Sequence, residues 1–183
     1  MRAFVALEVP AHVLDLLVSF QEEIMATGAD LKLVERENLH FTVKFLGEIS
    51  EAQAAEVESR LRKLLLKAVD VEVRGAGAFP SPARPRVVWA GVPPEHEGLV
   101  APLANEVIAS LAGIGERDDR PFRAHITLAR VRSGLNSRHL QELLGNNSER
   151  SFGSVKLTEL KLKSSTLTSS GPIYRDIGAY HLS

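Results

Sequence analysis

Two four-residue segments stand out for the chemistry they could perform: His40-Phe41-Thr42-Val43 and His125-Ile126-Thr127-Leu128. Each reads His-x-Thr-x with apolar residues at both x positions, and the histidines lie 125 − 40 = 85 residues apart. In an extended strand alternate side chains share a face, so His and Thr point one way and the apolar pair the other. An imidazole with an ordinary pKa of about 6.5 accepts a proton at neutral pH, while a second, held as imidazolium, donates one. Such a pair suits in-line displacement at phosphorus, one histidine deprotonating the attacking hydroxyl and the other protonating the departing oxygen. The Thr42 and Thr127 hydroxyls are placed to donate to non-bridging phosphate oxygens. With six histidines and six threonines in 183 residues, one His-x-Thr match carries little weight. Two at equivalent places in a repeated unit carry much more.

Rival chemistries lack their residues. The chain has no cysteine, which removes thiolate nucleophiles, disulfides and cysteine-ligated zinc. Neither strand histidine has a carboxylate neighbour of the kind metal sites use, and there is no His-Glu-x-x-His helix. Asp118 and Asp119 fall in a polar GERDDR stretch and read as solvated charges. Gly-x-Ser-x-Gly and Gly-x-x-x-x-Gly-Lys are both absent. We therefore expect neither a metal nor a cofactor.

The elements that must position these residues occur twice. A β-rich run, Arg2 to Val9, has a counterpart in Arg86 to Val92, each followed by proline. Helical spacing follows in Val13, Leu16, Leu17, Phe20 and Ile24, and again in Leu99, Leu103, Val107 and Leu111. Next come the motif strands, Leu39 to Gly47 and Ala124 to Arg132. A helix follows each, with Ser50 and Asn136 as expected N-caps. A final alternating strand closes each unit, Val69 to Arg74 and Val155 to Lys163. The prolines of Pro80 to Pro85 mark a loop or linker between the units.

This order predicts an α+β fold, a bilobal duplicated unit in which two antiparallel sheets line a central cleft with helices on the outer faces. Residues 1–183 form a single domain of two pseudo-symmetric lobes, about 1–83 and 84–183. A formal charge of -1 leaves no whole-molecule field to draw the chain onto nucleic acid, so any RNA contact is local. The absence of cysteine, of a signal-peptide pattern and of a long apolar run predicts a cytoplasmic protein with no membrane association, monomeric by default.

The chain resembles the two-histidine phosphoesterase superfamily, and within it the RNA 2′,3′-cyclic phosphodiesterases, also called 2′-5′ RNA ligases. The likeness rests on RAFVALEVP, NLHFTVKFLGEI, ARPRVVWAGV and RPFRAHITLARV, together with both His-x-Thr-x motifs. It implies hydrolysis of RNA ends bearing a 2′,3′-cyclic phosphate to a 2′-phosphate, without metal, and reversible 2′-5′ ligation. It also implies that His40 protonates the leaving 3′ oxygen while His125 activates water. The family pattern puts a phosphate-binding arginine at Arg130. Strict strand alternation instead puts Arg123 on the face of His125, and Arg130 reaches that face only through a bulge or a strand end. Phe79 and Tyr174 are candidates for base stacking, Trp89 reads as core, and Lys44 as a solvated strand residue. Two other readings stay open: the same chemistry on a small cyclic nucleotide or a 2′-5′ oligonucleotide, and a non-catalytic module that binds RNA ends.

Overall fold

The computed structural model describes residues 1–183. In chain order the elements are β1 (Arg2–Leu7), α1 (Ala11–Ala26), β2 (Leu31–Leu33), a 3-10 turn (Arg36–Asn38), β3 (Phe41–Glu48), α2 (Glu51–Arg62), β4 (Val69–Arg74), β5 (Ala76–Ser81), β6 (Arg84–Gly91), α3 (Pro94–Ser110), β7 (His125–Val131), α4 (Ser137–Asn146), β8 (Ser151–Leu157), β9 (Glu159–Thr168) and β10 (Gly171–His181). The architecture is α+β. Four helices surround an eight-stranded antiparallel sheet, ordered β10-β9-β1-β3-β7-β6-β5 with β2 also on β7, and β4 pairs with β8 in a small second sheet.

One rung of that sheet differs from all others. β3 and β7 share only the pair Phe41 and Ile126, beyond which the strands part. The sheet is thus two four-stranded leaves, β10-β9-β1-β3 and β5-β6-β7-β2, joined at a single residue pair. Past that rung each inner strand finds another partner for its free edge. Leu31–Leu33 pairs with Leu33 opposite Ala129 and Leu31 opposite Val131. On β3, the segment after α3 does the equivalent job: Glu116 N–H donates to Leu46 O at 3.1 Å. Lys44, expected to be solvated, is only 4% exposed; its Nζ donates to Glu116 O at 2.9 Å and pairs with Asp118. Asp118 is therefore an ion-pair partner rather than a free charge.

The leaves do not follow the chain's halves. β2 and β5, before residue 83, belong to the leaf of β6 and β7; β9 and β10, from the far end, belong to the leaf of β1 and β3. The proline-rich stretch is the tip of the β5-β6 hairpin, with Ser81 opposite Arg84, so strands pair across the expected linker. The strand expected over Val155–Lys163 is two strands in different sheets. Val155 and Leu157 are buried, then Leu160 and Leu162, a slip of one residue at Thr158 and Glu159 that marks the break.

Local signals behaved unevenly. Ser50 caps α2 in a reciprocal capping box with Gln53. Asn136 occupies the position before α4 but has φ of 55° and caps nothing; its Nδ2 donates to Gly28 O instead, at 3.1 Å. Leu16 and Leu99 are exposed, whereas Val13, Leu17, Phe20 and Ile24 on α1 and Val100, Leu103 and Val107 on α3 enter one 43-residue apolar core. Burial of that surface is the main favourable term holding the leaves and helices together.

The strap along β3 depends on Gly115, whose φ is +70° and whose added Cβ would collide with the Leu46 carbonyl. Gly113, with φ of +84°, faces open space. Gly115→Ala is expected to lower stability by about 2 to 4 kcal/mol and Gly113→Ala by about 1, read from urea midpoints. Equal losses in the two variants would show that the strap does not press on β3.

Candidate active site

The joining rung determines which way the motifs face. Phe41 and Ile126 are fully buried, so their strand neighbours turn to the opposite side, into the cleft. Antiparallel register about the pair places His40 across from Thr127 and Thr42 across from His125, since 41 + 126, 40 + 127 and 42 + 125 have the same sum. The four motif residues therefore converge around the apex where the leaves meet. His40, just before β3, is 7% exposed; Thr42, His125 and Thr127 are half-buried.

Two bulges then re-aim the strands. Against β1, Val5 pairs with Lys44 and Ala6 with Thr42, leaving Val43 extra. Against β6, Val88 pairs with Ala129 and Trp89 with Thr127, leaving Leu128 extra. These extra residues are again 128 − 43 = 85 apart. Each bulge shows as consecutive buried residues, Val43-Lys44 and Leu128-Ala129, followed by an exposed one, Phe45 and Arg130. The bulge at Leu128 returns Arg130 to the face of His125 and Thr127, the one condition under which that arginine reaches the cleft. Gln21 on α1, 4% exposed, supports it: its Nε2 donates to Leu128 O and to Val34 O, both at 2.8 Å. Arg123 also lies by His125, but with a different contact. Its carbonyl accepts from the His125 ring, and its guanidinium sits 5.8 Å from the Phe79 ring centroid.

The two imidazoles occupy unlike surroundings. His125 Nδ1 is 2.8 Å from Arg123 O, and because a carbonyl only accepts, Nδ1 carries the proton and Nε2 is left with its lone pair. His40 Nδ1 is buried without a hydrogen-bond partner. A bare lone pair there is less costly than an unpaired N–H, so the proton belongs on Nε2. His40 thus offers a donor and His125 an acceptor. Burial and, secondarily, the Lys163 cation lower His40 to about 4, against the raising influence of Asp176. Burial also lowers His125, opposed first by the hydrogen bond to Arg123 O. Both rings are neutral at pH 7 before anything binds.

Aromatic rings hold each imidazole from one side. Phe4 stacks on His40 with centroids 5.3 Å apart, and Phe79 meets His125 edge-on at 5.1 Å. Trp89 is not core: it is half-buried and packs on Phe79 at 5.2 Å. Tyr174 lies against Phe4 at 5.8 Å, beside a cavity of about 350 Å³ that Phe45 also lines. Sequence reasoning missed Phe4, Gln21 and Lys163. The first two reach the site only through tertiary packing, and Lys163, from β9, through the exchange of strands between halves.

An apex with two histidines and two threonines between pseudo-symmetric leaves defines a two-histidine phosphoesterase. The model of the LigT-like phosphoesterase family matches the chain twice, over residues 7–89 and 91–174, one match for each half. An RNA 2′,3′-cyclic phosphodiesterase of Archaeoglobus fulgidus is 37% identical over 180 residues, covering 98% of this chain and 99% of the relative. One from Aeropyrum pernix is 40% identical over 162 residues, 88% and 92% of the two chains. Escherichia coli LigT, solved in complex with 3′-AMP, superposes with a TM-score of 0.78 at 26% identity, covering 99% of this chain and 97% of that one. The chain belongs to the LigT-like phosphoesterase family.

Burial of His40 has a cost that stability measurements read. Between pH 6.5 and 4 the unfolded chain binds a proton at residue 40 that the folded chain does not, so stability falls as pH drops through that window. The contribution at pH 4 reaches about 3 kcal/mol. His40→Gln is expected to lose less stability than the wild type between pH 7 and pH 4.5 in urea unfolding. Parallel losses would mean that His40 titrates normally in the folded protein.

Proposed function

We propose that this protein hydrolyses RNA ends bearing a 2′,3′-cyclic phosphate to leave a 2′-phosphate. The observation that carries the reading is the opposite character of the two cleft-facing Nε2 atoms, an acceptor on His125 and a donor on His40. Water placed between His125 and phosphorus loses its proton to His125 Nε2 as its oxygen bonds to phosphorus. The bond from phosphorus to the 3′ oxygen breaks, and His40 Nε2 delivers a proton to that oxygen. Thr42, Thr127 and Arg130 supply donors for the equatorial oxygens, where charge accumulates.

A neutral His40 cannot serve as an efficient acid, because its loss of a proton would leave an imidazolate. The anionic substrate removes this obstacle. A phosphate beside His40 offsets the Lys163 cation and favours imidazolium, so the acid is charged in the complex that needs it. These residues supply both proton transfers themselves, and the proposed mechanism uses no metal. With a ribose 5′ hydroxyl in place of water, the same atoms form a 2′-5′ linkage. Each chain carries both histidines, which supports a monomer as the working unit. Strand exchange between the halves supports residues 1–183 acting as one domain.

The experiment is hydrolysis, in EDTA, of an oligoribonucleotide ending in a 2′,3′-cyclic phosphate, with identification of the product isomer. His40→Ala and His125→Ala are each expected to lower kcat/KM by about 10² to 10⁴-fold. A 3′-phosphate product, or activity surviving both substitutions, would sink this assignment; binding without turnover by the wild type would point to an RNA-end module. The pH profile gives a separate check. Since kcat/KM reports the free enzyme and both histidines are lowered there, its optimum is expected below 6.5. The alkaline limb of kcat is expected at higher pH, because bound phosphate favours imidazolium. A kcat/KM that stays flat from pH 6 to 8 contradicts this account.

A further inference from the structure

The far end of the second leaf carries a cavity that the apex chemistry does not use. It has a volume of about 460 Å³, lies at the tip of the β5-β6 hairpin and the end of β7, and is lined by Arg84, Arg86 and Arg132. All three are exposed, and none has a carboxylate partner. Of the twelve other arginines six pair with a carboxylate, among them Arg36 with Asp15 and Arg150 with Glu23, and six do not. The nearby carboxylate of Asp30 is engaged by Ser133 Oγ at 2.7 Å. What sets these three apart is that they line one concavity, where their like charges repel unless an anion joins them.

The cavity lies beyond the apex along β7, whose last residue, Val131, lines it together with Arg132. Beyond the Leu128 bulge, Arg130 faces the cleft, and Arg132, two residues on, shares that face; its N–H donates to Asp30 O at 2.8 Å, continuing the ladder with β2. From His125 to Val131 the strand runs about 20 Å. That span exceeds one nucleotide but not a short oligonucleotide. We propose that Arg84, Arg86 and Arg132 bind backbone phosphates of RNA upstream of the reacting end, making the enzyme selective for oligonucleotides over mononucleotides. The inference deepens the proposed function and rests on it for the position of the reacting end. Guanidinium forks suit phosphodiester oxygens, and the readout is of backbone rather than base.

The test compares wild type with Arg84→Gln/Arg86→Gln/Arg132→Gln on a 2′,3′-cyclic mononucleotide and on an eight-nucleotide RNA with the same terminus. In the wild type the octamer is expected to have the lower KM, with an advantage that shrinks as salt rises. The triple variant is expected to raise KM for the octamer at least tenfold, leave the mononucleotide unchanged, and reduce the salt slope by about 2. Equal KM for the octamer in the two proteins overturns the proposal, as does equal impairment on both substrates. Fluorescence anisotropy with an unreactive octamer ending in 3′ hydroxyl separates this inference from the reading beneath it. Weaker binding by the triple variant supports the arginine site even where no hydrolysis is seen, and unchanged binding overturns it. ATP displacing the octamer while RNA length has no effect on affinity would assign the cavity to a free nucleotide instead, and overturn the backbone reading.

Discussion

The contact between Phe41 and Ile126 constrains everything around it. It is the only rung between β3 and β7, and both side chains are fully buried. Two apolar side chains facing the core oblige the residues on either side to face away from it, and those residues are His40, Thr42, His125 and Thr127. The site's composition is thus the reverse side of a packing requirement. Because the strands part immediately, the space opposite the rung stays open as a cleft rather than being filled by a continuous sheet. A longer pairing would flatten the leaves together and leave the histidines on an ordinary sheet face, with no walls to exclude water or grip a phosphate.

A histidine placed there meets an electrostatic penalty, which the surroundings offset unequally in the two leaves. Desolvation dominates at both histidines, and it opposes the imidazolium form that the proposed reaction asks of each. In the second leaf, the Arg123 carbonyl works against that penalty and also selects the tautomer. The first leaf provides no such acceptor, and Lys163 adds to the penalty. The same asymmetry extends outward. Phe45 and Arg130, 130 − 45 = 85 residues apart, follow equivalent bulges, yet one is aromatic and the other cationic. The two halves carry different residues at matching positions, and the Arg123 carbonyl, with no counterpart at His40, separates the two imidazoles into a donor and an acceptor.

Much of the frame was legible in the sequence where local patterns suffice. The motif strands, the opening strand of each half and all four helices carry clear periodicity or propensity, and the repeated His-x-Thr-x pointed to the site. β2 is three residues long, β5 reads Ala-Gly-Ala-Phe-Pro-Ser, and β10 alternates poorly; each is a strand because of the edge it covers rather than its own preference. Alternation alone put Arg123 and not Arg130 on the histidine face, for a similar reason. Strict period two cannot anticipate a bulge, although Leu128-Ala129, two consecutive apolar residues after a regular alternation, was the trace of one. Asn136 shows the converse limit: a residue type suited to capping took a left-handed conformation, and its side chain ties the loop before α4 to Gly28.

Strand exchange explains why one rung is enough to hold the apex. Were each half of the chain to build its own leaf, the Phe41 and Ile126 contact would be the principal tie between two separate bodies, and the distance between the histidines would vary with every hinge motion. Instead β5 and β2 cross to the second leaf, β9 and β10 return to the first, and β4 pairs with β8 between the halves. The chain therefore passes from one leaf to the other several times, and pulling the leaves apart would expose a shared apolar core as well as break the one rung. The proposed in-line displacement needs acid and base held on opposite sides of phosphorus to within a fraction of an ångström. The interleaved topology provides that rigidity without any further contact between β3 and β7, which leaves the cleft free for the substrate.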